Sequence, residues 1–538
     1  MLQRAPAAPA SDLREGAPFD PAGTRTTLPL ALLDAVAKAG RSSEALEDPE
    51  RKPLDYRTLV IGAFVLGDKL KVGLERGEHV GLLLPNVNGA VVSLFALLFN
   101  GLVPVILNFT AGPKNLSSAC QTARIGTIVT SRRFVDQGKL EDVVAAIGQG
   151  RRVVYLEDVR ASVGAIDKLK GAAKALAARA LLRGVSRPDD AAVVLFTSGS
   201  EGAPKGVVLS HANILANVLQ VEQHFGTLLT GVRHVFFNPL PIFHSYGLTG
   251  GLMLALLRGH KTVLYPSPLH FKQIPKLIGE TKATLLFGTD TFLMGYRRAA
   301  EPGDLAGLQV IVTGAEKVKP ETRRLYAEVT AAEVLEGYGA TECSPVISVN
   351  QLGPGRNRHG TVGPLLPGVR ARLMPVEGIA DGGRLCVTGP NVMKGYMLAD
   401  RPGEVQPPAD GWHDTGDIVV FDEAESIVIR GRAKRFAKIG GEMVSLAAVE
   451  TLVSETWPEH SHVAVVLPDA RKGEQIVLVT DRPDAERADL IAHFAAQGAP
   501  ELWVPRSVLM VPAIPVLGSG KVDYPGAAAL AASKRGLL

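Results

Sequence analysis

Short β-branched runs alternate with helical patterns along most of this chain, and that alternation leaves few folds open. Apolar runs at 79–84 (HVGLLL), 103–107 (VPVIL), 153–157 (VVYLE), 261–265 (KTVLY), 284–288 (TLLFG) and 308–314 (LQVIVTG) read as strands. Helical patterns fill the gaps, for example at 56–74, 90–99 and 271–280. Strand following helix following strand predicts an α/β fold with largely parallel sheets. A length of 538 residues exceeds what one domain usually holds.

The texture changes near residue 367, where glycines, turns and short strands predict a small antiparallel, β-barrel-like unit. Residues 431–434 separate that body from a last stretch with its own order: strands at 462–467 and 475–480, a helix at 483–497 and a strand at 508–511. Pro483 suits the first turn of that helix, where a missing N–H costs nothing. We therefore expect a loose, disordered tail over 1–25, a large N-terminal domain over 26–431 and a small mobile α+β domain over 432–538.

Composition removes some functions. Fifty-eight basic residues against 54 acidic ones leave a net charge of +4, and aromatics make up 5%. That is neither the charge footprint nor the stacking surface of a nucleic-acid binder. Cys120, Cys343 and Cys386 have no metal or disulfide spacing and suit a reducing cytoplasm. The first 25 residues lack the apolar core of a signal peptide. The longest apolar stretch, 90–107, is cut by Asn100, Gly101 and Pro104, and reads as helix, turn and buried strand rather than a membrane span.

One segment stays open in both directions. In 166–183, Ile166, Leu169, Ala173, Leu176 and Ala180 recur at helical spacing, with Lys168, Lys170, Lys174, Arg179 and Arg183 around them. A basic amphipathic helix can lie on the inner face of an anionic membrane. It can equally be a solvated helix docked on the protein's own surface.

Chemistry enters with VVLFTSGSEGAPKGVVLSH (193–211). A β-branched run breaks into Thr197, Ser198, Gly199, Ser200, Gly202 and Gly206 around one cation, Lys205. Small residues let backbone N–H groups turn inward, and with hydroxyls and a lysine they can wrap a polyphosphate. The loop is not a Walker motif: Pro204 fills its second glycine slot, and Gly206 stands where a metal-binding hydroxyl would follow the lysine. Alone, it also fits a surface Gly/Ser hairpin.

Four further segments carry residues of the same chemistry. In EGYGATECSP (336–345), Tyr338 could cover a base, Thr341 could bond a phosphate and Glu342 could hold Mg²⁺; a plain strand-end turn is the alternative. In GWHDTGDIVVFD (411–422), Asp417 is suited to two vicinal ribose hydroxyls or to capping a turn. IRGRAKRFAKIGGEMVS (429–445) sets basic side chains beside a Gly-Gly pair, as a basic linker also would. VLGSGKVDY (516–524) puts Lys521 in a Gly-flanked loop, where an exposed lysine is the ordinary expectation.

Taken together and in this order, the segments resemble the adenylate-forming superfamily: acyl- and aryl-CoA synthetases, the adenylation domains of peptide synthetases and firefly luciferase. The resemblance runs from about residue 26 to the end. FTSGSEGAPKGVVLSH, NPLPIFHSYGLTGG, YPSPLHF, LEGYGATECSPVIS, GRAKRFAKIGGEMVSL and LGSGKVDY are similar to the acyl-[acyl-carrier-protein] synthetase half of a bifunctional bacterial 2-acylglycerophosphoethanolamine acyltransferase. The acyltransferase half of that protein carries H-x-x-x-x-D. The region ahead of the synthetase body here is short and lacks it, so only the activating half is implied. Ser200 and Glu201 replace a Thr-Thr pair of many members, a change the carrier-protein synthetases share.

The resemblance implies a role for each matching residue. Thr197, Ser198, Gly199, Ser200, Gly202, Lys205 and Gly206 form the phosphate loop, and Glu342 holds Mg²⁺. Gly314, Ala315, Glu316, Tyr338 and Gly339 frame the adenine of ATP, and Thr341 contacts the α-phosphate. Asp417 binds the ribose, with Arg432 near by. Lys521 is the catalytic cation of adenylate formation. Rotation about Lys434 withdraws it and brings Gly440 and Gly441 over the site, where the absence of Cβ leaves room for a pantetheine arm. His244 gates the acyl or thiol channel. The expected activity is ATP- and Mg²⁺-dependent activation of a fatty acid and its transfer to the thiol of acyl carrier protein, or alternatively of coenzyme A. A catalytically silent lipid-binding protein on the same fold is the remote alternative.

Overall fold

The computed structural model describes residues 13–197, 204–379, 381–439, 442–469, 473–516 and 522–534. The chain divides into two compact units, one made of 14–370 and 387–413, the other of 371–386 and 414–538 with the first residues.

The larger unit contains two eight-stranded sheets. In the first, Glu44–Glu47, Lys261–Leu264, Val235–Asn238, Leu285–Gly288, Val310–Thr313 and Glu333–Gly339 run parallel as neighbours. Antiparallel strands close its edges: Leu54–Asp55 beside Glu44–Glu47, and Val346–Val349 beside Glu333–Gly339. The central strands Leu285–Gly288 and Val310–Thr313 are near-continuous apolar runs, buried except at half-buried Val312, as strands covered on both faces tend to be. In the second sheet, Arg152–Tyr155, Thr127–Thr130, His79–Leu82, Val103–Ile106 and Ala191–Thr197 are parallel. Lys205–Ser210 then turns back antiparallel, followed by Gly395–Leu398 and Arg401–Gln406.

Most predicted elements lie where the patterns place them, with shifted ends. The helix expected over 56–74 is Tyr56–Leu70, capped by Asp55, whose carboxylate accepts from the Thr58 N–H at 2.7 Å. The apolar stretch 90–107 is the helix Asn88–Leu98 and the strand Val103–Ile106. Among the described residues, no helix is long and apolar enough to cross a membrane.

Three expectations need correction. Residues 13–25, expected within a loose tail, are held in place: the Gly16 N–H reaches the Val369 carbonyl, the Gly368 N–H reaches the Ala17 carbonyl (both 2.8 Å), and Asp20 caps the helical turn Pro21–Thr24. The amphipathic segment is two helices, Ala165–Leu176 and Ala178–Leu182, broken at Ala177. Pro483 does not open a helix. The helix there is Arg487–Ala496, and Arg482 holds the preceding turn by pairing with Asp484 at 2.9 Å and lying over the Trp457 ring.

In the smaller unit, Arg370–Met374, Gly383–Thr388, His413–Phe421 and Ile427–Arg432 lie side by side, the last two antiparallel. A further sheet follows in the order Glu442–Ser445, Phe436–Ile439, Gly473–Thr480, His462–Asp469, with Ser507–Met510 parallel to Gly473–Thr480. Alternate residues of its strands face two cores. Ala464, Ile476 and Leu478 pack with Val449, Val453, Leu490 and Phe494; Val463, Val465, Val477 and Val479 pack with Ala527 and Ala531 of the helix Tyr524–Ser533. The period of two is what a sheet covered on both faces requires.

Candidate active site

Parallel strands deliver their carboxyl ends to one edge of a sheet, and loops leaving that edge are where α/β folds bind ligands. In the first sheet of the larger unit, four such loops emerge from neighbouring strands: after Asn238, Gly288, Thr313 and Gly339. They carry or lead directly into His244, Thr291 in the first turn of the helix Asp290–Ala299, the Gly314–Ala315–Glu316 turn, and Thr341 with Glu342.

The loop after Thr313 turns through Ala315, whose φ of +70° is left-handed for a residue with a side chain. Such a conformation persists only where its surroundings hold it. Here the Glu316 carboxylate accepts from both the backbone N–H (2.9 Å) and the hydroxyl (2.8 Å) of Thr291. Behind the turn, Gly314 lies against the ring edge of Tyr246. The Tyr246 hydroxyl donates to the Val312 carbonyl at 2.8 Å, and burial raises its pKa far above the usual phenol.

Tyr338 and Gly339 sit at a break in register between Glu333–Gly339 and Val346–Val349. A Cβ on Gly339 would lie 2.3 Å from the Pro345 carbonyl oxygen, so only glycine fits. Thr341 and Glu342 follow in the helical turn Thr341–Cys343, which ends at Ser344 in a left-handed conformation. Two buried asparagines hold that turn. Asn217 donates to the Val346 carbonyl (2.9 Å) and accepts from its N–H (3.1 Å), while Asn391 donates to the Cys343 carbonyl at 2.8 Å. The Ser245 hydroxyl, next to His244, donates to the Thr341 hydroxyl at 3.3 Å. His244 is half-buried with its ring against Phe243, 4.7 Å between centroids.

The second sheet contributes Thr197 and Lys205, which face each other across the last pair of the hairpin Ala191–Thr197 and Lys205–Ser210. Ser198, Gly199, Ser200 and Gly202 lie outside the described residues. Gly206 is wedged between Phe196 and Met397, where a Cβ would sit 3.1 Å from the Phe196 ring. Across the next pairing, Tyr396 is opposite Val207. Lys205 Nζ lies 5.5 Å from the centre of the Tyr396 ring, and the Tyr396 hydroxyl donates to Glu342 Oε1 at 2.6 Å. One tyrosine thus joins the loop cation of one sheet to the carboxylate of the other.

Tyr396, Ser245, Asn217 and Asn391 are absent from the sequence-derived set. Asn217 had a readable signal, since a buried amide on the apolar face of ILANVLQV must find partners. Tyr396 had none, because its neighbours are distant in the chain.

Asp417, Arg432 and Lys434 belong to the smaller unit. Asp417 and Arg432 are paired residues of neighbouring strands and are bridged at 3.1 Å, with Asp417 buried and Arg432 exposed. Asp417 follows Gly416, whose φ of +71° turns the chain into position. Lys434 is exposed in the turn Ala433–Arg435. Gly440, Gly441 and Lys521 lie outside the described residues. The residues bracketing 517–521 are bridged, Val516 to Val522, and the Asp523 N–H bonds the Pro515 carbonyl at 2.9 Å.

Among the described residues, no cluster of three His, Cys, Asp or Glu side chains is built to enclose a metal. A single carboxylate, Glu342, beside hydroxyls suits Mg²⁺, which takes one or two carboxylates and completes its shell with phosphate oxygens and water.

A glycine-rich strand-to-strand loop with a lysine, a carboxylate tied to it and a row of loops at one sheet edge define a nucleotide-handling α/β protein. Its fold is that of several solved structures. The ATP-bound MatB of Rhodopseudomonas palustris is 24% identical, with a TM-score of 0.77 over 94% of this chain and 99% of its own. The model of the family described as AMP-binding enzyme matches residues 33–397, and the chain belongs to that family. Curated relatives include a long-chain-fatty-acid–CoA ligase of Salmonella typhimurium, 27% identical over 88% of both chains. Another of the same name, from Bacillus subtilis, is 28% identical over 88% of this chain and 89% of its own.

Proposed function

We propose that this protein is an ATP-dependent fatty acid–thiol ligase that works through an acyl-adenylate. The arrangement that carries the reading is Lys205–Tyr396–Glu342, a cation and a carboxylate held on one ring beside the Thr341 hydroxyl. In the first half-reaction a fatty-acid carboxylate oxygen attacks the α-phosphorus of ATP, and the bond to pyrophosphate breaks. Negative charge builds on phosphoryl oxygens, and preorganised donors stabilise it without reorganising. Lys205 and the backbone of its loop take the β- and γ-phosphates, and Thr341 takes the α-phosphate. Glu342 would hold Mg²⁺, which supplies charge neutralisation between the phosphates. The Gly314–Ala315–Glu316 turn and Tyr338 frame the base, and Asp417 takes the ribose hydroxyls. Lys521 bridges the attacking and α-phosphoryl oxygens.

In the second half-reaction a thiol attacks the acyl carbon and AMP leaves. Lys521 has no part in that step, so a small domain over 432–538 turns about Lys434 and presents Gly440 and Gly441. His244 gates the channel. The curated relatives support coenzyme A as the acceptor. Acyl carrier protein is the second reading, favoured by the likeness of six segments to carrier-protein synthetases.

A panel of fatty acids of graded chain length, assayed with ATP and either coenzyme A or holo acyl carrier protein, tests both. We expect a thioester to one acceptor with a clear chain-length optimum. No thioester with either acceptor at any chain length would contradict the reading.

A further inference from the structure

The helix Ala165–Leu176 turns its apolar stripe away from the protein. Ile166, Leu169 and Leu176 are 70%, 74% and 76% exposed, and Ala173 between them is exposed too. Their spacing puts all four on one face. The opposite face is pinned. Gly171 is buried so closely against the helix Tyr56–Leu70 that a Cβ would lie 2.4 Å from Val65 Cγ2. Lys174 bridges Asp68 at 2.6 Å, and Asp167 bridges Lys69 at 2.9 Å while also accepting from the Gly164 N–H. Rolling the helix to bury the stripe would break both ion pairs and lift the glycine contact. The following helix, Ala178–Leu182, adds Leu181, 47% exposed. Over 165–183 there are five cations and one carboxylate, and Lys168, Lys170 and Arg183 are exposed beside the ridge.

We propose that this ridge of Ile166, Leu169 and Leu176, flanked by Lys168, Lys170 and Arg183, docks the protein on an anionic lipid bilayer. A narrow, protruding row of large aliphatic side chains fits insertion among acyl chains, and the cations beside it match lipid phosphates. Self-association through the same face fits poorly, because a two-fold contact would set these cations against their own copies. The inference uses none of the nucleotide-site residues and stands apart from the reading of the reaction.

Vesicle sedimentation of the full chain tests it, with phosphatidylcholine vesicles lacking or containing phosphatidylglycerol. We expect binding to the anionic vesicles that weakens as salt rises. The triple variant Ile166→Ser, Leu169→Ser, Leu176→Ser should bind at least about tenfold more weakly. Lys168→Gln with Lys170→Gln should lose about fivefold per cation removed. Thermal melting and pyrophosphate release with a short, water-soluble fatty acid should stay at the parent level in both variants. Equal binding by parent and triple variant would overturn the proposal, as would binding indifferent to phosphatidylglycerol. A parent chain that ignores all vesicles, or forms a dimer that the triple variant abolishes, would overturn it as well.

Discussion

A carboxylate can hold a cation in place only while its own rotamer is held, and at Glu342 the Tyr396 hydroxyl does this from 2.6 Å. The same ring lies beside the Lys205 ammonium, so one side chain sets the spacing of two opposite charges. Tyr396→Phe keeps the ring and removes only the hydrogen bond. A hydrogen bond to a charged group contributes about 1.5–3 kcal/mol, so adenylate formation should slow about ten- to a hundredfold. A rightward shift in the Mg²⁺ concentration for half-maximal rate should accompany the loss. Stopped-flow measurement across a Mg²⁺ series checks this, and an unchanged Mg²⁺ dependence would remove Tyr396 from the site. At this scale, residue types were legible and partnerships were not. Glu342 and Lys205 stand out as chemistry-bearing groups in glycine-rich turns. What joins them is Tyr396, opposite Val207 in a strand that begins 190 residues after Lys205.

The elements place the site through close backbone approach at a few points. Gly339 is the sharpest: the strand Glu333–Gly339 passes so near Pro345 that a methyl group has no room. Gly339→Ala should destabilise the fold by about 1–3 kcal/mol, the usual range for overpacking. It should also displace the Thr341–Glu342 turn that follows. Gly89→Ala is the control, since nothing lies within 4 Å of its missing Cβ, and in a helix the change should stabilise by about 0.4–1 kcal/mol. Urea unfolding of the two variants decides it; equal midpoints would contradict the packing argument. The same scale shows where local pattern misleads. Pro483 satisfied the rule for a helix start, yet Arg482 spends its contacts on Asp484 and Trp457 and holds a turn there instead. Several strands of the two large sheets, such as Val103–Ile106 and Leu285–Gly288, were legible because full burial selects continuous apolar runs, whereas Thr127–Thr130 and Val235–Asn238, whose short runs end in threonine or asparagine, were not. The order in which they pair was not, because the neighbours come from distant segments.

At the scale of the whole molecule, buried histidines make stability depend on pH. Burial lowers His211, His224 and His260 from 6.5 to about 4. The geometry agrees: His211 Nδ1 accepts from the Leu28 N–H at 3.2 Å, which an imidazolium cannot do. Between these values the unfolded chain binds protons that the folded chain does not. Stability is therefore complete above pH 6.5 and falls as pH drops toward 4, by about 1.4 kcal/mol per pH unit for each such group. Urea midpoints at pH 7.5, 6 and 5 should fall in that order, and His211→Gln should flatten the slope. Midpoints that stay level would contradict it. The α/β class was legible at this scale from alternation alone. The interleaving of units was not, because 387–413 returns to the larger unit after 371–386 has joined the smaller one, and no local pattern marks such a return.

The central claim, that a fatty-acid carboxylate is adenylated at this site, is tested most directly by exchange of labelled pyrophosphate into ATP. We predict exchange that requires a fatty acid and Mg²⁺, needs no thiol, and disappears in Lys521→Ala, although that variant still passes the acyl group from supplied acyl-AMP to a thiol. Absence of exchange with every fatty acid, or cleavage of ATP to ADP and phosphate instead, would contradict it.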